Sequence, residues 1–222
     1  MAITASTAAH TSPTSLASVT LEVADLDGAS RFYSAFGVDS YIRLRASEAH
    51  STGFRGFTLA LTVSGPATVD GFVGVAVAAG ATVLKPAVKS LWGYGGVVQA
   101  PDGAIWKIAT SAKKDTGPAT REIDEVVVLI GVEDVKATRE FYVGRGLRVA
   151  KSFGGKYAEF APGHSSPIKL ALYKRRALAK DLGVLADGTG SHRIVLGGTA
   201  GAFTDLDGFA WEPAASLAPT PS

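Results

Sequence analysis

Cysteine is absent from the 222 residues, which excludes disulfides, thiolate zinc sites and cysteine nucleophiles. An excess of one charge is also missing. The 22 basic and 20 acidic residues leave a net charge of +2, too weak a field to suggest nucleic acid or an anionic membrane as a partner. No apolar run is long enough to cross a bilayer. The opening MAITASTAAHTSPTS lacks a basic stretch followed by an apolar one, so no secretory leader is expected and the cytoplasm is the expected compartment. The signatures of several common chemistries are missing too: there is no GxGxxG after a strand, no P-loop, no HExxH and no GxSxG. His10, in the opening tail, and His50 and His164, in polar loops, have no sequence-level partner for nucleophilic catalysis.

What is present is enough apolar material for a packed core, 46% hydrophobic against 19% charged residues. It is arranged as a repeat. SVTLEVADLDGASRFYSAFGV reappears as VVVLIGVEDVKATREFYVGRGL. Asp25 stands seven residues before Phe32, and Asp134 seven before Phe141; Tyr33 and Tyr142 follow directly, and Gly37 and Gly146 close each segment. A second anchor ends each copy: PDGAIWK with Asp102 and Trp106, and LDGFAWE with Asp207 and Trp211. These spacings divide the chain into a tail over 1–14, a first half over 15–112, a linker over 113–121 rich in polar residues around Gly117 and Pro118, a second half over 122–214 and a tail over 215–222.

Alternating apolar residues predict a strand over 16–23, and Asp25 is placed to cap a helix whose face is Ala29, Phe32, Tyr33 and Phe36. Strands are expected at 41–46 and 57–63, then a helix from Pro66 to Gly80. ATVLKP, GGVVQA and IWKIAT read as short strands. The second half repeats the opening strand over about 125–132 and the helix over about 135–145. RVAKSF, KYAEFA and IKLALY follow as strands, RRALAKDLGV as a short helix, and HRIVLG, AFTD and FAWE as the last strands. Only fifteen residues separate His192 from Asp207, whereas Phe57 to Asp102 holds a whole helix. The second half therefore lacks that helix and carries a hairpin missing from the first. A different register, pairing TLAL (58–61) with KLAL (169–172), fits the sequence as well.

The pattern strand–Asp–x6–FY–x3–G, followed later by PDG-x-x-W-[E/K], resembles the vicinal oxygen chelate superfamily of glyoxalases, bleomycin-resistance proteins and extradiol dioxygenases over about residues 16–213. The resemblance implies an α+β fold of tandem βαβββ modules in two pseudo-repeated halves, with curved sheets forming a cup. It also implies a divalent metal (manganese, iron, zinc or nickel) held by residues of opening and closing strands, although some relatives bind a drug with no metal. In the first half the matching positions are Ser18, Phe57 and Lys107, and an ammonium repels a cation, so that half is expected to be metal-free. In the second half His192 and Glu212 match ligand positions. The third position falls on Val127 by strict counting, or on Glu125 after a small shift. The plainer readings are a strand-edge histidine bonded to backbone and a solvated glutamate before Pro213.

Trp92 and Tyr94 in the glycine-rich SLWGYGG, with Phe57, Lys107 and Trp211, are the candidate ligand-binding residues, since aromatic walls suit a flat ligand. For Trp106 and Trp211 ordinary core packing is the favoured reading, and Trp92 is the better pocket candidate. Lys174, Arg175 and Arg176 read as a solvated basic face. Two functions stay open. One is a binder of a small, partly aromatic organic molecule; the other is a metal-dependent lyase, isomerase or dioxygenase acting on a substrate with adjacent oxygens. No catalytic residue is assigned, and either a monomer or a homodimer is compatible with fused halves.

Overall fold

The computed structural model describes residues 14–163 and 168–214. The tail after 214, the first thirteen residues, His10 and His164 lie outside the described residues. The chain runs through four units. The first is β1 (Leu16–Val23), α1 (Leu26–Phe36), β2 (Arg43–Ala46) and the short β3 (Ser51–Gly53). The second is a complete βαβββ: β4 (Phe57–Thr62), α2 (Pro66–Ala78), β5 (Thr82–Ser90), β6 (Gly93–Gln99) and β7 (Ile105–Thr110). The third is equally complete: β8 (Glu125–Val132), α3 (Val135–Gly144), β9 (Val149–Phe153), β10 (Tyr157–Phe160) and β11 (Ile168–Lys174). After α4 (Arg175–Leu182) and β12 (Gly188–Gly190), the fourth unit keeps β13 (Ile194–Gly198), β14 (Phe203–Thr204) and β15 (Ala210–Pro213), with no helix between them.

The sheets cut across the two halves. The second and third units share one eight-stranded sheet, ordered β5-β6-β7-β4-β8-β11-β10-β9. The first and fourth share a five-stranded sheet, β14-β15-β13-β1-β2. β3 and β12 make a separate two-stranded ribbon. β4 and β8 run antiparallel at the middle of the large sheet, Phe57 opposite Ile130 and Thr62 opposite Glu125. The register question is thereby resolved: TLAL lies in β4, which opens the second unit, and KLAL lies in β11, which closes the third. β5 runs on to Ser90, past the expected end at Pro86. Proline is tolerated there because β5 is an edge strand, where a missing N–H breaks no ladder. HRIVLG forms a strand only from Ile194, because Arg193 has φ 54 and turns the chain before it.

Capping explains the helix starts. The Asp25 carboxylate accepts from Gly28 N at 2.9 Å, and Asp134 accepts from Lys136 N and Ala137 N. Gly37, at φ 83, ends α1 in the left-handed conformation that glycine adopts without steric cost. The helices cover one face of the sheets with two matching aromatic clusters. Tyr33 and Phe36 pack on Trp106, with Phe72 against Phe36, and Tyr142, Phe160 and Phe203 gather around Trp211 or one another. Each cluster is built on a tyrosine of the repeat's FY pair and a closing-strand Trp, Tyr33 with Trp106 and Tyr142 with Trp211, so the sequence repeat is also a packing repeat.

Candidate binding cavity in the large sheet

Side chains alternate along a strand, so residues not in the helix-covered core face the other side of the sheet. On that concave side a single row runs straight across the middle. Lys107 on β7 lies opposite Ala60 on β4, Ala60 opposite Val127 on β8, and Val127 opposite Lys169 on β11. The two lysines are thus equivalent positions of the second and third units, both on closing strands. The sequence reading singled out Lys107 and missed Lys169. Aligning IWKIAT with IKLALY, rather than with FAWE, would have exposed the match.

The row does not face open solvent throughout, because α4 lies in the cup. Leu178, Ala179 and Leu182 are buried against Val97, Ile105, Leu129, Tyr173 and Phe54. Burying each leucine contributes on the order of 2 kcal/mol. Polar contacts fix the helix at both ends. The Arg175 guanidinium donates to Phe54 O at 2.6 Å and to Ala186 O at 3.1 Å, and stands over the Phe54 ring. At the other end Lys107 Nζ reaches Asp181 Oδ2 at 2.5 Å, and Lys85 Nζ donates to Asp181 O at 2.7 Å.

On the second unit's side of α4 a cavity of about 270 Å³ remains, lined by Lys85, Val88, Trp92, Lys107, Ala109 and Asp181 over a floor that includes Gly93 and Gly95. Gly93, at φ 135, brings the backbone so close to Thr110 O that a Cβ would lie 2.0 Å from it. The mouth carries Trp92, which is 85% exposed. Of the candidate ligand residues, Trp92, Tyr94 and Lys107 line this cavity. The Tyr94 hydroxyl is turned away to Asp70 on α2, however, at 2.8 Å. Phe57 and Trp211 do not reach it and are corrected to core residues. Both are buried, and the Trp211 indole stacks on Phe203 and donates to the Tyr142 hydroxyl at 3.1 Å.

A larger cavity of about 630 Å³ lies between α1 and the turn preceding β7. Apart from Arg31, its charged and phenolic groups are engaged in holding the fold. Asp25 caps α1, Tyr33 donates to Asp102, and Arg193 donates to the carbonyls of Glu22, Ala49 and Ser47. The smaller cavity, on the cup side of the sheet, is therefore the better candidate site.

On the third unit's side of α4 the cup holds a charge cluster. Lys169 pairs with Glu125 and lies 3.8 Å from Glu159, which also takes Lys151 at 3.7 Å and the Tyr157 hydroxyl at 2.8 Å. Donation to Glu125, with the nearby negative charge, holds the Lys169 ammonium above its ordinary range. Burial, then the bond to Glu159, raises the Tyr157 phenol well above its ordinary value.

The three candidate metal ligands are not brought together, and among the described residues no group of three His, Asp or Glu side chains could hold an ion. Glu125 lies in the large sheet, paired with Lys169. Glu212 lies in the small sheet, gripped by Arg45 at 2.7 and 2.9 Å. His192 sits between the sheets, its Nδ1 2.5 Å from Arg55 O and its Nε2 3.0 Å from Asp207 O, with the ring stacked on Phe209. Both ring nitrogens therefore face backbone carbonyl oxygens, and neither is turned toward the carboxylates of Glu125 or Glu212. Each expected anionic ligand thus faces a guanidinium or ammonium of the chain itself, and the closing-strand positions of the cup hold lysines. These residues do not fit a divalent metal.

The paired βαβββ units, the large sheet they share and the smaller sheet beside it make this a glyoxalase-like fold. Glyoxalase I from Zea mays matches with a TM-score of 0.54 over 89% of this chain and 91% of that one, at 14% identity. A mutant of the same enzyme gives 0.55 over 89% and 91%, at 15% identity. A candidate dioxygenase from Bacillus subtilis gives 0.50 over 88% of this chain and 72% of that one, at 11% identity. At such identities the likeness is one of fold. No protein-family model and no curated protein matches the sequence. Among the described residues no helix is long and apolar enough to cross a membrane.

Proposed function

We propose that this protein binds a small, partly aromatic organic molecule in the cavity between β5–β7 and α4, in the manner of a glyoxalase/bleomycin-resistance-type binder. The observation that carries the reading is the cavity itself. It opens on the concave face of a complete βαβββ unit, with an exposed indole at the mouth, a glycine floor and an ammonium on the central row. Its volume of about 270 Å³ suits a molecule of one or two rings.

Tryptophan fluorescence offers a direct test. Trp106 and Trp211 are buried, whereas Trp92 is exposed, so a ligand covering the mouth shifts the emission of Trp92. Titration with a panel of one- and two-ring aromatic compounds is expected to give saturable shifts that Trp92→Phe removes. Ala109→Phe, which fills the cavity, is expected to weaken binding at least tenfold, on the order of the cost of a lost apolar contact. Saturable binding that Ala109→Phe leaves unchanged, or no binding across the panel, would overturn the reading.

A further inference from the structure

We propose that the ligand is an organic acid, and that in the unliganded protein the Asp181 carboxylate occupies the place of the ligand's anionic group on Lys107. This rests on the cavity being the binding site.

The two central lysines differ in how firmly they are held. Lys169 is matched by two carboxylates, Glu125 and Glu159, and the Glu159 side chain is only 9% exposed. Lys107 has one carboxylate, Asp181, and the two side chains are 35% and 43% exposed. An ion pair so open to water is worth about 0–1 kcal/mol, so a second anion can exchange for Asp181 at little cost. The lining of the cavity holds two ammonium groups, Lys85 and Lys107, against one carboxylate. An arriving acid therefore meets a net positive wall.

The exchange leaves α4 in place. Leu178 and Leu182 are buried, Arg175 ties down the start of the helix, and Lys85 binds the main-chain oxygen of Asp181 rather than its side chain. That oxygen belongs to the carboxyl end of the helix, where a cation is favoured. Rotation of one side chain thus frees Lys107. The ring of the acid then lies over Gly93–Val97 toward Trp92, and its anionic group meets Lys107 and Asp181 moves outward.

Matched aromatic acids and primary amides of one or two rings, such as 2-naphthoate and 2-naphthamide, test this by calorimetry on the full chain. Asp181→Asn removes the internal competitor and is expected to tighten binding of the acids by about threefold to fivefold, the weight of an exposed ion pair, without helping the amides. Lys107→Met is expected to weaken the acids about tenfold or more and to leave the amides unchanged, as for loss of a charge-assisted bond. Melting temperatures near that of the parent protein show that both variants remain folded. Acids and amides that bind alike, with neither responding to Asp181→Asn, would overturn the inference while leaving the cavity a binding site. Failure of every acid and amide to bind the parent and both variants would overturn the binding reading and the inference with it.

Discussion

The Tyr142 hydroxyl donates to Asp205 at 2.6 Å and accepts the indole N–H of Trp211 at 3.1 Å, all three within the core under α3. In the first half Tyr33 makes the corresponding bond to Asp102, at 2.8 Å. The repeat would pair Tyr142 with Asp207, the counterpart of Asp102. Asp207 instead accepts from Glu133 N and Thr138 Oγ1, and Asp205 takes over the phenol. Tyr142→Phe therefore removes the phenol's bond to Asp205 Oδ2, leaving that carboxylate only the backbone N–H groups of Asp207 and Phe209 on Oδ1, and takes the acceptor from the buried Trp211 indole N–H at the same time. It is expected to lower the unfolding free energy by about 2–3 kcal/mol in urea titrations. Tyr33→Phe, whose partner Asp102 is half-buried, is expected to cost about 1 kcal/mol. Equal costs would show that the two sites are energetically equivalent despite the change of partner.

Alkaline pH tests the same two phenols. Burial first, then the adjacent carboxylate, holds both Tyr33 and Tyr142 well above the ordinary value of 10.0. In the unfolded chain these groups lose their protons near pH 10, while the folded chain keeps them. The folded state then binds more protons, so stability falls as pH rises. Their contribution is whole below about pH 10 and is lost as pH climbs from there toward the folded values. Urea midpoints measured from pH 8 to 11.5 are expected to drop steeply above pH 10. The Tyr33→Phe, Tyr142→Phe double variant, compared with itself at pH 8, is expected to show a shallower fall. A fall of undiminished slope would assign alkaline unfolding to other groups.

The unit plan could be read from the sequence because it rests on local chemistry. Asp25 and Asp134 cap helices through bonds to residues two or three positions on, and the FY pairs and closing-strand tryptophans repeat at fixed spacing. The loss of a helix from the fourth unit followed from simple distance along the chain. What could not be read was pairing between remote segments. That α4 fills the cup depends on Leu178 and Leu182 meeting Val97 and Leu129, and no periodicity in RRALAKDLGV specifies that partner. The candidate metal set failed for the same reason. Arg45 meets Glu212 across 167 positions, and Lys169 meets Glu125 across 44, so the cations that neutralise those carboxylates were invisible beside them in sequence. Phe57 and Trp211 were misplaced by a simpler ambiguity. Alternation shows that a strand has two faces, and only the packed helices decide which face is core.

His192 is the remaining residue whose two readings diverge sharply. As a clamp, its ring bridges Arg55 O, just before β4, to Asp207 O, just before β15, and so joins the start of the large sheet's central strand to the last turn of the small sheet. Stacking on Phe209 at a centroid distance of 3.9 Å holds the ring in that position. Arg193 follows at φ 54, its guanidinium spread over three carbonyls, so the chain is fixed on the next residue as well. His192→Ala removes the ring's contacts with both carbonyls and the stacking, and is expected to cost about 2–4 kcal/mol in urea unfolding. His192→Gln, which keeps an amide donor for one carbonyl but no ring, is expected to recover about a third of that loss. As a metal ligand, the residue would behave differently: elemental analysis of protein purified without chelator would find stoichiometric metal in the parent and not in the variant, and chelator would lower the parent's stability. The clamp predicts that chelator leaves the unfolding curve of the parent unmoved and that His192→Ala shifts it with no change in metal content.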